Sequence, residues 1–275
     1  MLAAQKRVLI VAPSFETAFH AAIYKEFKKL FKPQECLFRS ITGNESTQKK
    51  QLTTALEQIN PGVLIAVSIR PDKSTLDLYT AANVPIILID EEMAGLTTIS
   101  TDNFIGGRIA AEYLISRGRK KIGLVCGRTD VKGGYNAAQR RNGFMDALMQ
   151  ANYTFSENHV VEVTNYSREE GFEAMPHFLD QGVDAIFCAA GDDCAVGLFT
   201  AAKEHGIRIP EDIAVIGFDD TLIARVSTPT LTTIRQPMDK IAETVFDICM
   251  TKGNTLLKAP HKTMFHPEIV VRNSA

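Results

Sequence analysis

The sequence predicts an α/β protein built as two doubly wound lobes, each a mainly parallel sheet flanked by helices. Three observations carry this. Short, continuous apolar runs rich in Val and Ile recur along the chain, as strands buried on both faces require. Helix-period segments alternate with them. The series then starts afresh near Lys120, so a single shared sheet would be unusually wide, whereas two lobes each fall near the common domain size. The 275 residues suffice for one or two domains.

The strand-like runs are "RVLIVA" (7–12), "GVLIAV" (62–67), "VPIILID" (84–90), "KIGLVCG" (121–127), "HVVEV" (159–163), "DAIFCAA" (184–190) and "IAVIGF" (213–218). After the first comes "FETAFHAAIYKEFKKLF", which sets Phe19, Ile23, Phe27 and Leu30 on one helical stripe. "NFIGGRIAAEYLISRG" closes on Gly118 as its C-terminal cap. "AAQRRNGFMDALMQAN", "SREEGFEAMPHFLDQG" and "DDCAVGLFTAAKEHG" have the same character, and the last two also close on Gly. The stretch "TLIARVSTPTLTTI" reads as irregular. A helix follows over Met238–Met250, then strand-like "HKTMF" (261–265) and "EIVV" (268–271). This tail is too small for a domain, so it is expected to complete the two sheets, with the chain crossing between lobes more than once.

Composition is that of an ordinary globular protein, with 45% hydrophobic and 23% charged residues. The net charge is −2, and no basic block offers a footprint for nucleic-acid phosphates. The opening "MLAAQKRVLIVAPSF" lacks the apolar length of a secretory signal, and no stretch approaches a membrane span. The expected location is therefore the cytoplasm, without membrane contact. Five cysteines without a CxxC spacing read as inert thiols, with Cys126 and Cys188 packed as small hydrophobes.

Ligands collect at the carboxyl ends of the strands in an open parallel sheet. That rule singles out Ser14 and Phe15, Asp90, Asp102 and Asn103, Asp192 and Asp193, and the pair Asp219–Asp220 that ends "IAVIGF". Each carboxylate also has a plain reading as a helix cap or turn former. That reading suits Asp102 and Asp192, which stand where helices begin. Asp219 has no long helix after it, which favours a functional role. Arg140 and Arg141 open "RRNGFMDALMQ", where the helix dipole disfavours a cation unless it reaches a ligand or an acid. An enzyme is not expected: GxSxG, HExxH and P-loop patterns are absent, and of the six histidines only the loose pair His261 and His266 approaches metal spacing, which reads as strand-edge residues. "GRTDVKGGYN" (127–136) reads as a mobile loop rather than a phosphate cradle. No cofactor and no metal are expected. The acids read best as acceptors for a neutral, hydroxyl-rich ligand.

Three stretches resemble a known family: "STDNFIGGRIAAEYLISRGRKKIGLVCG", "RRNGFMDAL", and "AIFCAAGDDCAVGLFTAAKEHGIRIPEDIAVIGFDD" with "TPTLTTIRQP". They are similar to the effector-binding core of the LacI/GalR family of bacterial regulators, with Arg119 where that family usually has His. The resemblance implies a periplasmic-binding-protein-like fold of type I, with three crossovers and a cleft between the lobes. Residues 1–118 plus 235–265 would form the N-terminal lobe, and 119–234 plus 266–275 the C-terminal one. Carried over by position, Asp219 and Arg140 match the hydroxyl-binding acid and arginine. Gln236 matches a polar residue at a crossover, and Tyr166 an aromatic flanking the ligand. Phe15 and Phe19, with Ser14, come from the first loop and helix. Asp102 and Asn103 match the family's D-N pair, and Asp192 the retained acid of its AxND stretch, in which Gly191 replaces Asn. Asp220 would turn the loop. The chain has no Trp, so any sugar must stack on Tyr or Phe.

The resemblance implies the effector domain of a transcriptional regulator. It would bind a small polar molecule, a sugar or sugar derivative, and pass the event on by lobe rearrangement. The expected partners are this effector and a second copy of the chain. Operator DNA would be reached only through an N-terminal helix-turn-helix that these 275 residues do not contain. The alternative is a solute-binding protein of a sugar ABC transporter, which would share the fold.

Overall fold

A computed structural model describes residues 7–130, 134–250 and 260–275. It divides the chain into two units, Met1–Thr101 with Pro237–Phe265 and Asp102–Gln236 with His266–Ala275. The chain thus passes between the units three times.

The first unit opens with β1 (Val8–Ala12), α1 (Ala18–Leu30), β2 (Cys36–Ser40), α2 (Glu45–Ile59) and β3 (Val63–Val67). It continues with α3 (Lys73–Ala81), β4 (Ile86–Ile89) and β5 (Thr97–Thr101), and is completed late in the chain by α9 (Met238–Met250) and β11 (Lys262–Phe265). The strand order is β11-β5-β4-β3-β1-β2, all parallel. Every residue of β1 and β3 is buried. Alternation sends Val8, Ile10 and Ala12 to one face, with Ile23 and Phe27 of α1 and Ile241 and Val245 of α9. Leu9 and Val11 go to the other, with Leu52 of α2 and Tyr79 of α3. Each such Val, Leu, Ile or Phe side chain contributes about 1.5–3 kcal/mol of transfer free energy.

The second unit runs α4 (Asn103–Ser116), β6 (Ile122–Gly127), α5 (Tyr135–Gln150), β7 (Val160–Val163), α6 (Arg168–Asp180), β8 (Ala185–Cys188) and α7 (Asp192–Glu204). Then come β9 (Ala214–Asp219), the short α8 (Leu222–Val226), β10 (Thr232–Arg235) and β12 (Glu268–Val270). The order is β12-β10-β9-β8-β6-β7, with only β12 antiparallel to its neighbour. Gly118, at φ +75°, ends the α4 turn as expected.

Several elements differ from the sequence reading. The first boundary falls after Thr101 rather than at residue 118, because α4 belongs to the second unit. The reason is a close crossing of α4 on α5. A Cβ added at Gly107 would stand 2.0 Å from the Arg140 carbonyl oxygen, and one at Gly143 would stand 1.8 Å from that of Phe104. The two backbones touch where each helix carries its glycine. The elements β2, α2 and α3 were not anticipated, and "TLIARVSTPTLTTI" contains both α8 and β10. Residues 131–133 of the glycine-bearing loop lie outside the described residues.

Candidate functional site

In the second unit the sheet order reverses between β6 and β8, and the strand ends there carry the polar side chains. β9 ends on Asp219 at φ +107° and Asp220 at φ +53°, two successive non-glycine residues in the left-handed region. Such backbone costs on the order of 1–3 kcal/mol per residue and persists only where the surroundings over-determine it. Here they do. Gln236, one residue past β10, donates from Nε2 to Asp219 Oδ1 at 2.7 Å. Gly191 caps α7 at φ +106°, and a Cβ there would stand 3.2 Å from Asp219 Oδ2.

Asp192, at the start of α7, is 1% exposed. Its Oδ2 accepts from Thr221 N at 2.7 Å and Thr221 Oγ1 at 2.9 Å, and its Oδ1 from Thr233 Oγ1 at 2.6 Å. Burial, then repulsion from Asp219, raises its pKa to about 8, against the opposing pull of these hydrogen bonds. Asp220 shows the reverse balance. Burial pushes its pKa up, but hydrogen bonds from Arg272 and Arg235 outweigh that and leave it lowered. Arg225 at 3.0 Å and Arg235 at 2.7 Å share its Oδ2, and Arg272 holds Oδ1.

Beside these strand ends, α4 and α5 bring Asn103 and Arg140 together. Arg140 is buried, donates from Nε to Asn103 Oδ1 at 2.7 Å and from Nη1 to the Ala189 carbonyl at 2.8 Å. Its guanidinium carbon stands 3.6 Å from the centroid of the Phe218 ring, a cation–π contact with the residue preceding Asp219. No described residue takes a hydrogen bond from Nη2, which keeps a donor in reserve. Asn103 Nδ2 donates in turn to Asn136 Oδ1 at 3.1 Å. Contrary to the sequence expectation, Arg140 does not open its helix: α5 begins at Tyr135, so the arginine lies beyond the first turn. Its contacts, not a helix end, explain its position. Arg141 instead pairs with Glu157 and Glu162 on the surface. Tyr166, at φ +57° and 41% exposed, lays its ring over the end of β6, where a Cβ on Gly127 would come within 1.8 Å of the phenol oxygen.

The structure thus joins Asn103 to Arg140 and Asp219 to Gln236, with Asp192 beside Asp219. Asp102 caps α4 through Ile105 N at 3.0 Å, its plain reading. Asp192 is engaged wholly by threonines. In the first unit, Ser14 accepts from Glu16 N at 3.0 Å within its own loop. Phe15 packs on Tyr24 and Phe38 at centroid distances of 5.3 and 5.7 Å, and Phe19 lies beside His20. At the ends of β3 and β4, Ser68 Oγ donates to Asp90 Oδ2 at 2.9 Å, both residues having positive φ. Sequence reasoning missed Ser68 and Asn136. Ser68 directly follows a buried strand next to the reversal between β3 and β1, a signal the strand-end rule could have used. Among the described residues no cluster of His, Cys, Asp and Glu could hold a metal ion. The strand ends of the second unit offer carboxylate acceptors, a guanidinium donor and a half-exposed aromatic ring. That set suits a small molecule with several hydroxyls.

A model of the periplasmic binding protein-like domain matches residues 111–275. The HTH-type transcriptional repressor PurR of Escherichia fergusonii is 33% identical over 276 residues, covering 98% of this chain and 80% of that protein. A LacI family transcriptional regulator from Enterococcus faecium with bound ribose superposes with a TM-score of 0.86 at 20% identity, over 98% of each chain. A periplasmic binding protein/LacI transcriptional regulator from Alkaliphilus metalliredigens, complexed with D-xylulofuranose, gives 0.83 at 20% identity, covering 98% of this chain and 99% of that one.

Proposed function

The chain belongs to the LacI family of transcriptional regulators, as its ligand-binding domain, and on that basis we propose that it binds a sugar or sugar derivative at the strand ends that carry Asp219. The supporting observation is the Asp219 carboxylate, fixed by Gln236 at a strained strand end, in the same unit as Arg140, Asn103 and Tyr166. Asp219 accepts from ligand hydroxyls, Arg140 Nη2 donates, and Tyr166 covers an apolar ring face. Ribose and D-xylulofuranose in the two structural relatives support this chemistry.

Regulation follows if the effector binds one state of the protein more tightly than another. Only that difference shifts the population, and by linkage operator and effector affinities change each other equally. DNA contact would belong to a helix-turn-helix outside these 275 residues, the working form would be a homodimer, and its location the cytoplasm. Among the described residues no helix is long and apolar enough to cross a membrane. The transporter alternative is not favoured, since the relatives named above are transcriptional regulators. A thermal-shift screen across pentoses, hexoses, disaccharides, nucleosides and amino acids, followed by calorimetry, tests the reading. A sugar hit weakened by Asp219→Ala supports it. Selective binding of an amino acid or nucleoside, unaffected by that change, refutes it.

A further inference from the structure

The turn that carries Asp219 is held by two buried acids. Asp192 reaches from the start of α7 to the backbone and hydroxyl of Thr221, two residues past Asp219, and to Thr233 on β10. Gly217 makes room for it, since a Cβ there would stand 2.5 Å from Asp192 Oδ1. Asp220, its side chain 1% exposed, gathers Arg225 from α8, Arg235 from β10 and Arg272 from the segment after β12. Asp219 directly precedes the two residues so held, Asp220 and Thr221, at a φ of +107° that an aspartate does not adopt unaided.

We propose that Asp192 and Asp220 are positioning residues for Asp219, clamping the 219–221 turn so that its carboxylate stays against Gln236 at the strand end. The role assigned to Asp219 rests on the effector reading above; the clamp itself is a statement about the unliganded protein. Asp192 therefore does not touch the effector. Its two oxygens take three hydrogen bonds, all from the residues they hold. Without it the turn relaxes toward extended backbone and the Asp219 carboxylate leaves Gln236.

The test needs no ligand. The side-chain amide resonances of Gln236, assigned by their loss in Gln236→Leu, report the bond to Asp219, and a crystal structure reports its φ. Asp192→Ala is expected to shift or broaden the Gln236 amide and to return Asp219 to negative φ. Asp192→Asn, which keeps an acceptor for Thr221, is expected to retain both features. Should Asp192→Ala fail to fold, Thr233→Val removes one donor at constant shape and is expected to shift the amide in the same direction by less. Leu198→Ala, which hollows the core beneath α7, controls for general destabilisation and is expected to leave the amide in place. The proposal is overturned if the amide and φ are unchanged in Asp192→Ala or, where that variant does not fold, if Thr233→Val leaves the amide in place. It is equally overturned if Asp192→Asn or Leu198→Ala moves the amide as far as the clamp variants do. A failed sugar screen would not alter any of these outcomes, so the two readings fail separately.

Discussion

Replacing Asp192 by Asn should flatten part of the protein's pH dependence. Burial and the neighbouring Asp219 raise the folded-state pKa of Asp192 to about 8, from an ordinary value of 3.8. Between those two pH values the folded chain holds a proton that the unfolded chain has lost. Stability therefore falls as pH rises through that window, by up to about 1.4 kcal/mol per pH unit. From pH 5 to pH 7 the group should cost on the order of 3 kcal/mol, a loss that a neutral Asn cannot show. In its protonated form the acid can keep the Thr233 contact with donor and acceptor exchanged. Other groups titrate nearby, notably His20, whose pKa burial lowers to about 4 and which acts in the opposite direction. Comparing wild type with Asp192→Asn cancels them. Urea unfolding of both proteins at pH 5, 6 and 7 measures the difference. Parallel curves would refute the reasoning, and would mean that the α7 N-terminus and the three donors keep Asp192 ionised throughout.

Asp219→Ala and Arg140→Ala should each weaken effector binding by about 1.5–3 kcal/mol in calorimetry, the scale of a hydrogen bond to a charged group; unchanged affinity in both would remove the site. Asp220→Ala should destabilise the second unit by about 1–3 kcal/mol in denaturant unfolding, because three arginines lose a shared carboxylate, while Arg225 and Arg235 stay open to water. Raising the salt concentration should recover little of that loss. Gly143→Ala, which sets a Cβ 1.8 Å from the Phe104 carbonyl oxygen, should cost about 3 kcal/mol or more; a melting temperature within a degree of wild type would contradict the crossing described. The 275-residue chain should show no salt-steep binding to DNA at physiological ionic strength, in keeping with its net charge of −2, as gel-shift titration would report.

What could be read from the sequence follows from what each element buries. β1, β3 and β9 are continuous apolar runs and announce themselves. α2 hides because only Leu52 and Ala55 of its fifteen residues are buried, leaving a polar segment with little helical stripe. β10 is hidden by its threonines, buried among polar partners rather than marked by Val and Ile. Asp219, Arg140 and Gln236 could be proposed from strand-end logic and family resemblance. The burial of Asp192 could not, because its partners Thr221 and Thr233 lie 29 and 41 residues away. Nor could the unit boundary at Thr101, which is set by two glycines meeting across α4 and α5.

The three passes of the chain bear on how the molecule is made. The first sheet takes its α9 cover and its β11 edge from residues after Pro237, so a nascent chain synthesised only as far as Thr101 still shows one unlined flank. The later unit must be threaded before the earlier one can close. Vectorial synthesis therefore cannot finish either half in turn. Both await residues 237–275, and a ribosome stalled before them holds two incomplete hydrophobic surfaces at once.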